Sequence, residues 1–192
     1  MAIIRSIERG NIKGASVAVV ISDRQDAKAL ETARKRGVSA VWVDPAGAMS
    51  RSEYDGRLLA ALRKNGVTPG RGLVLLAGFM RLLSPSFVDA FRGRIMNIHP
   101  ALLPSFPGTR AQQQALEHGA KVSGCTVHFV APEVDSGPII LQRVVKVEEG
   151  DTSESLAERI LRQEHSAYPL AVKLFVEGRL KIEGRKVVIA KK

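Results

Sequence analysis

Short, almost entirely apolar runs recur along the first half of the chain. They occupy residues 16–21, 38–43 and 72–77, and a fourth strand is predicted at residues 94–98, around the shorter apolar run of Ile95 and Met96. Continuous apolar runs of this length are typical of strands that are buried on both faces of a sheet. Helices are predicted before, between and after these strands, at residues 1–9, 26–36, 50–64 and 109–118. Strands that alternate with helices indicate an α/β fold, with a mostly parallel sheet and helices on both faces.

The second half of the chain is predicted to contain more β-structure and one long helix. Two β-rich stretches and a small terminal hairpin lie at residues 122–130, 139–147, 179–182 and 186–189. The helix is predicted at residues 151–176, with Asp151 as its N-cap and Glu154 completing a capping box. Pro169 is expected to kink or break this helix, because proline removes a backbone hydrogen bond.

The composition fits one globular domain that spans residues 1–192. Its hydrophobic share of 45% and its charged share of 25% are ordinary for such a domain. No apolar run approaches the roughly 18 residues of a membrane-spanning helix, and the first residues lack a signal peptide's long apolar segment. The single cysteine, Cys125, cannot form an intrachain disulfide. These features predict a cytoplasmic protein without a membrane partner.

The net charge of +10 indicates either an anionic partner or simply a basic surface. Lysine and arginine are scattered along the chain, apart from short runs at residues 34–36 and 191–192, and no aromatic residues are interleaved with them. This distribution disfavours nucleic acid as a partner. A small substrate that carries phosphate or carboxylate groups explains the charge equally well.

The segment from Asn97 to Pro100 carries the first candidate chemistry. Asn97 and His99 lie two positions apart, so in an extended strand both side chains point to the same face. Pro100 cannot donate the next ladder hydrogen bond and should end the strand. The pair would therefore lie at the carboxyl end of a strand, where open α/β sheets bind their ligands. A hydrogen-bond donor beside a titratable ring suits acyl transfer, whose intermediate carries an oxyanion.

Residues 96–108, which include this segment, resemble the signature of the folate-dependent formyltransferases. Three further blocks resemble the phosphoribosylglycinamide formyltransferases in the same order, at residues 77–85, 127–140 and 163–169. The resemblance extends over essentially the whole chain. It implies a Rossmann-like formyltransferase fold. It also implies transfer of a formyl group from the cosubstrate 10-formyltetrahydrofolate to the amine of 5-phosphoribosylglycinamide, a step of purine biosynthesis.

In the implied reaction, the amine attacks the formyl carbon. The resemblance implies that Asn97 and His99 donate hydrogen bonds to the resulting oxyanion and that Asp135 favours the charged form of His99. Each residue also has an ordinary alternative, since a lone asparagine is often a turn former, a lone histidine is often structural, and Asp135 precedes a Ser-Gly-Pro turn. His128 is interpreted as a core residue that points away from the site, and Cys125 as a small buried residue.

The resemblance also assigns substrate-binding residues. Those implied for folate are Arg51, Met80, Arg81, Leu82, Leu83, Val88, Asn97, Ala131, Pro132, Glu133, Val134 and Asp135. Pro100 and Glu164 are implied for phosphoribosylglycinamide, since a carboxylate can bind an ammonium group. Core positions for Leu82, Leu83 and Val88 and solvated helix positions for Arg51 and Glu164 remain as alternatives. No metal is implied, and the chain is expected to be a monomer or a homodimer.

The chain departs from the family pattern at its beginning. Chains of the family begin with a buried strand and a Gly-x-Gly-Ser-Asn loop. Backbone N–H groups of this loop bind the substrate phosphate. Residues 1–7 resemble the helix that follows this loop, and no other glycine-rich segment replaces it. The missing strand is expected to belong in the middle of the sheet, so its neighbours would be unpaired. Two explanations stay open, a start assigned too far downstream and a truncated paralogue.

Two other functions remain as alternatives. One is a hydrolase that releases formate from 10-formyltetrahydrofolate, as formyltetrahydrofolate deformylases do. The other is a folate-binding paralogue without activity. Formate production without an amine acceptor would support the first. Folate binding with neither transfer nor release of the formyl group would support the second.

Overall fold

The computed structural model describes residues 1–191. Helices and strands alternate along it as far as residue 129, so the predicted α/β class is confirmed. The helices are α1 (Ala2–Glu8), α2 (Lys28–Arg34), α3 (Arg51–Lys64), α4 (Pro85–Ala90), α5 (Ala111–Glu117) and α6 (Ser153–Val176). The strands are β1 (Val19–Ser22), β2 (Ser39–Trp42), β3 (Val74–Leu76), β4 (Ile95–His99), β5 (Val122–Phe129), β6 (Ile139–Lys146), β7 (Leu180–Glu183) and β8 (Lys186–Ile189). In this part of the chain, no helix is both long and apolar enough to cross a membrane.

The strands form two separate sheets. β1 and β2 form a parallel pair. The larger sheet has the order β3-β4-β5-β6-β8-β7, in which β3 is parallel to β4 while β5 is antiparallel to both β4 and β6. β8 is parallel to β6 and antiparallel to β7. A parallel neighbour and an antiparallel neighbour therefore flank β4, the strand that contains Asn97 and His99.

Among the described residues, no backbone pairing joins β1 to β3. Every residue of these two strands is only partly buried, although their apolar sequences predicted burial on both faces. Side chains of both strands, including Ile21 and Leu76, pack against one hydrophobic cluster that contains α3 and α4 residues. Side-chain packing thus connects the small sheet to the larger one. Among the described residues, β1 pairs only with β2 and β3 pairs only with β4, so each has one strand edge without a backbone partner.

Helices cover both faces of β4. Ile95 packs into the cluster that contains Leu58 of α3 and Phe87 of α4, whereas Met96 packs into a second cluster with Ile160 and Val172 of α6. Because successive strand side chains point to opposite faces, these clusters lie on opposite sides of the sheet. Burial of such side chains contributes about 1.5–3 kcal/mol each, and it fixes β4 as the buried support of the candidate site.

The beginning of α6 differs from the prediction. Thr152, not Asp151, is the N-cap, and its hydroxyl accepts the Ser155 N–H at 3.2 Å. The Ser155 hydroxyl accepts the Thr152 N–H at 3.0 Å, so Ser155 takes the capping-box place predicted for Glu154. Of the kink or break expected at Pro169, the break is wrong, because α6 continues through Pro169 to its end.

The short helix α4 was not predicted. It begins after Ser84, whose hydroxyl accepts the Phe87 N–H at 3.3 Å, and Pro85 occupies the first turn. A serine cap followed by proline is a usual helix start. The helix has only 6 residues, too few for a helical pattern of apolar positions to be recognised.

Candidate active site

Strands β4 and β5 bring Asn97, His99 and His128 onto one face of the sheet. Asn97 lies opposite His128, and His99 lies opposite Thr126. Residues paired in this way share a face. The amide nitrogen Nδ2 of Asn97 lies 3.3 Å from Nε2 of His128. Both histidines are almost fully buried, with 4% exposure for His99 and 2% for His128.

Both ring nitrogens of His99 lie against hydrogen-bond acceptors. Nε2 is 2.8 Å from the backbone carbonyl oxygen of Phe106. Nδ1 is 3.3 Å from Oδ2 of Asp135. A carbonyl and an ionised carboxylate can only accept. Nε2 therefore donates to the Phe106 carbonyl oxygen, and Nδ1 lies beside a charged acceptor.

Asp135 is held as a carboxylate. Its Oδ2 accepts the Gly108 N–H at 2.8 Å, and its Oδ1 lies 3.6 Å from Nε2 of His128. Burial of the carboxyl opposes ionisation, but the His128 ring, the Gly108 N–H and the charge of His99 outweigh burial and hold the pKa of Asp135 below its ordinary value. The site therefore pairs an anion with the His99 ring at neutral pH.

A tight turn after β5 places Asp135. The backbone of Asp135 has φ of 50°, in the left-handed region. Two residues later, Gly137 lies so close to β5 that a Cβ would be 1.8 Å from the Phe129 carbonyl oxygen. Only glycine allows this approach. The Ser-Gly-Pro turn that follows Asp135 is thus what returns its carboxylate to the histidines.

The loop that follows β4 is anchored on Thr126. The Thr126 hydroxyl donates to the Ala101 carbonyl oxygen at 2.7 Å and accepts the Leu103 N–H at 3.0 Å. These bonds fix the first half of the proline-rich loop against β5. The second half then brings the Phe106 carbonyl to His99 and the Gly108 N–H to Asp135.

His128 was expected to point away from the site, and this expectation is wrong. Its ring faces Asn97 and Asp135. The orientation follows from the register of β5 on β4, which the alternation within one strand does not reveal. The neighbouring Cys125 is fully buried, and burial raises the pKa of its thiol to about 12. An uncharged thiol agrees with its interpretation as a small buried residue.

The residues implied for folate fall into three places. One group lines a groove of about 400 Å³ that also contains Tyr54, and consists of Arg51, Met80, Arg81 and Leu82. Leu83 and Val88 are buried in the hydrophobic cluster of α3 and α4 and do not line that groove. Residues 131–134 form the loop that leads from β5 to Asp135, and 49% of Val134 is exposed.

The residues implied for phosphoribosylglycinamide lie after β4 and on α6. Pro100 directly follows β4, and Glu164 lies partly buried on α6, where burial raises the pKa of its carboxyl. One turn later, the Tyr168 hydroxyl lies 2.9 Å from the carbonyl oxygens of both Leu76 and Met96. The Tyr168 hydroxyl therefore connects this part of α6 to β3 and β4 by hydrogen bonding.

A second groove, of about 440 Å³, runs between α1 and α6. Its basic lining residues are Arg5, Arg9, His165 and Lys173. None of the described residues that line it is acidic. Such a one-sided distribution of charge favours an anionic group. The groove reaches His165, the residue after Glu164.

Comparison with known proteins identifies the family. The family model described as formyl transferase matches residues 1–172. The chain belongs to the formyl transferase family. Over 181 residues it is 43% identical to the phosphoribosylglycinamide formyltransferase of Escherichia coli (strain K12), covering 94% of this chain and 83% of that protein.

Solved structures of family members share the fold. Glycinamide ribonucleotide transformylase 1 from Symbiobacterium toebii has a TM-score of 0.93 and 55% identity, over 99% of this chain and 87% of that one. A formyltetrahydrofolate deformylase from Pseudomonas syringae pv. tomato has a TM-score of 0.88 over 99% of this chain and 61% of that one. Its identity of 24% makes it evidence of fold alone. The predicted Rossmann-like formyltransferase fold is confirmed.

Proposed function

We propose that the protein transfers the formyl group of 10-formyltetrahydrofolate to the amine of 5-phosphoribosylglycinamide, in purine biosynthesis. The observation that carries the proposal is the buried pair of His99 and Asp135 beside Asn97 on β4. Membership of the formyl transferase family supports formyl transfer as the chemistry of this cluster. The relatives named phosphoribosylglycinamide formyltransferase support the choice of acceptor.

The proposed chemical role of Asn97 and His99 is to stabilise the tetrahedral intermediate. Attack of the amine on the formyl carbon leaves a negative charge on the formyl oxygen. An N–H of Asn97 and an N–H of the His99 imidazolium donate to that oxygen, and each aligned donor contributes about 3 kcal/mol. Because Nε2 of His99 already donates to the Phe106 carbonyl, the formyl oxygen takes over or shares that proton when substrate binds.

Proton transfer completes the reaction without a net change in the site. A bond forms between the amine nitrogen and the formyl carbon, and the bond from that carbon to the folate nitrogen breaks. His99 gives a proton to the departing folate nitrogen and recovers one from the attacking nitrogen, which is cationic after attack. Asp135 stays ionised throughout, in accordance with its lowered pKa, and stabilises the imidazolium.

Each substrate is assigned to one of the two grooves. The groove lined by Arg51 and Met80 takes part of the folate, and the anionic end of folate suits the arginine. Glu164 and Pro100 contact the ribonucleotide, whose phosphate is complementary to the basic groove between α1 and α6. Independence from metals, a cytoplasmic location and a monomeric or homodimeric state stay predictions.

An assay of the purified protein tests the proposal. We expect deformylated folate to form only when phosphoribosylglycinamide is present. His99→Ala should reduce turnover about 10²–10⁴-fold, and near-normal turnover of that variant would remove His99 from the mechanism. Formate release without the amine would instead support a hydrolase. Folate binding with neither reaction would support a folate-binding paralogue.

A further inference from the structure

Gln142 of β6 belongs to the same row of side chains as His99. Thr126 of β5 lies opposite His99, and Gln142 lies opposite Thr126. Residues paired in this way share a face of the sheet. Gln142 is exposed, but its amide nitrogen Nε2 lies 2.9 Å from the Leu103 carbonyl oxygen and 3.0 Å from Oγ1 of Thr126. A side chain of β6 therefore reaches the base of the proline-rich loop, residues 100–108.

Backbone groups fix the direction of each hydrogen bond in this cluster. The Ala101 carbonyl can only accept, so the Thr126 hydroxyl donates its one proton there, at 2.7 Å. The Leu103 N–H can only donate, so the same hydroxyl accepts it at 3.0 Å. Since that proton is used, Gln142 can meet the hydroxyl only as a donor. The Leu103 carbonyl also accepts, so both N–H groups of Gln142 are used.

The opposite orientation of the Gln142 amide is excluded on the same grounds. It would place Oε1 against the Leu103 carbonyl oxygen and against a lone pair of Thr126, and acceptors in contact repel each other. This assignment does not depend on the protonation of either histidine. Within residues 1–191, Gln142 is the one hydrogen-bond donor to the Leu103 carbonyl. Leu103 is only 4% exposed, so loss of this donor would leave a largely buried acceptor unpaired.

Three residues beyond Leu103, the loop adopts a conformation that its sequence does not favour. Phe106 has φ of 53°, in the left-handed region that residues other than glycine rarely adopt. Such a conformation persists only where the surrounding structure holds it. The Phe106 carbonyl meets Nε2 of His99, and the Gly108 N–H meets Asp135. Relaxation of Phe106 would move both groups away from the site.

We propose that Gln142 is a positioning residue, which holds the proline-rich loop against the sheet through the Leu103 carbonyl. The loop thereby keeps its two contacts with His99 and Asp135. The inference rests on the proposed function, in which these two residues act on the reacting groups. It adds β6 to the elements that shape the active site. Gln142 acts through the loop and does not contact the reacting atoms.

Kinetics of Gln142 variants test the proposal. Gln142→Leu removes both donors and should lower kcat about 10-fold, because small misplacements of catalytic groups are costly. KM for both substrates should change less than about threefold, since Gln142 lines neither of the two grooves. Gln142→Lys keeps N–H donors at this exposed position and should recover most of kcat. An unchanged kcat in Gln142→Leu would overturn the proposal.

Gln113→Leu is the matched control. It makes the same substitution at an exposed glutamine of α5, whose Nε2 donates within that helix to Oε1 of Glu117 at 2.7 Å. The control should keep both kcat and KM. An equal fall in kcat for Gln113→Leu and Gln142→Leu would mean that the contact with the loop is not what matters, and would refute the role of Gln142.

Amide hydrogen exchange gives a readout that does not depend on formyl transfer. The Gly108 N–H donates to Asp135, so its exchange reports whether the loop stays on the site. In Gln142→Leu, exchange at Gly108 should become at least about 10-fold faster, while the amide of Val127 in β5 keeps its rate. Unchanged exchange at Gly108, or equal acceleration at Val127, would contradict the proposal. The expected exchange in a protein that transfers no formyl group would reject the proposed function alone.

Discussion

At the scale of single residues, Asp135 is held as a carboxylate beside the His99 ring. The ring donates to the Phe106 carbonyl through Nε2, so its other nitrogen can meet the carboxylate favourably only as a second donor. The carboxylate in turn has a lowered pKa despite its burial. The carboxylate is therefore in place beside the His99 ring before substrate binds, which limits the reorganisation that the transition state requires.

Asp135→Asn tests this pairing. The amide has no charge, so the imidazolium loses its stabilising neighbour and kcat should fall about 10²–10³-fold at neutral pH. Stability should also fall at neutral pH. Because the pKa of the folded carboxyl is lowered, its stabilising contribution is present above the ordinary carboxyl pKa and is lost as pH falls through the lowered value.

Urea unfolding of both proteins from neutral to acidic pH checks the second expectation. The difference in free energy of unfolding should shrink toward low pH. A difference that stays constant over this range would show that the carboxylate charge is not what stabilises the fold.

The residue scale also shows what the sequence could reveal. The common orientation of Asn97 and His99 follows from strand alternation alone. The contact of Asp135 with His99 required the family resemblance, because 36 positions separate them. The orientation of His128 toward the site depended on the register between β4 and β5, which is set by contacts between strands and not by the local pattern.

At the scale of elements, the turn at Gly137 controls where Asp135 lies. Gly137→Ala would force a Cβ to within 1.8 Å of the Phe129 carbonyl oxygen, so the turn must shift. We expect kcat to fall at least about 10-fold, because small misplacements of catalytic groups are costly.

Gly56→Ala in α3 is the matched control, since a Cβ there meets nothing within 4 Å. The control should keep full activity and gain about 0.5–1 kcal/mol of stability. Equal activities would show that this turn does not place the carboxylate.

The Tyr168 hydroxyl adds a polar contact to the hydrophobic packing of α6 against β3 and β4. Tyr168→Phe leaves the carbonyl oxygens of Leu76 and Met96 without this donor, and should lower the free energy of unfolding by about 1–2 kcal/mol. Tyr54→Phe is the control, because the Tyr54 hydroxyl lies 3.4 Å from its acceptor. Its effect should be smaller. Urea denaturation measures both, and a larger loss for Tyr54→Phe would contradict this account of α6.

Element boundaries show why prediction was better for strands than for helix ends. The apolar runs located the strands within a few residues, whereas the cap of α6 depends on whether Asp151 or Thr152 turns toward the helix. Asp151 instead accepts the Glu148 N–H at 2.7 Å and hydrogen bonds from Arg159. These tertiary partners are not encoded in the capping pattern, so Thr152 becomes the cap.

At the scale of the whole molecule, the net charge is +10, and several of the basic residues line the groove between α1 and α6. Replacing both Arg5 and Arg9 by Ala should raise KM for phosphoribosylglycinamide about 10-fold while KM for the folate stays unchanged, because only the ribonucleotide phosphate meets these cations. Replacing Arg34 and Arg63, which do not line that groove, removes the same charge. Equal increases in both double variants would mean that general attraction, and not the groove, binds the phosphate.

The separation of the two sheets predicts uneven stability across the molecule. β5 pairs on both sides and Val127 within it is fully buried, whereas β1 pairs only with β2 and is partly buried. Segments with little pairing and burial open at lower free energy. Amide hydrogen exchange should therefore be at least about 10²-fold faster in β1 than in β5. Equal protection would mean that side-chain packing across the gap, through Ile21 and Leu76, joins both sheets into one cooperative unit.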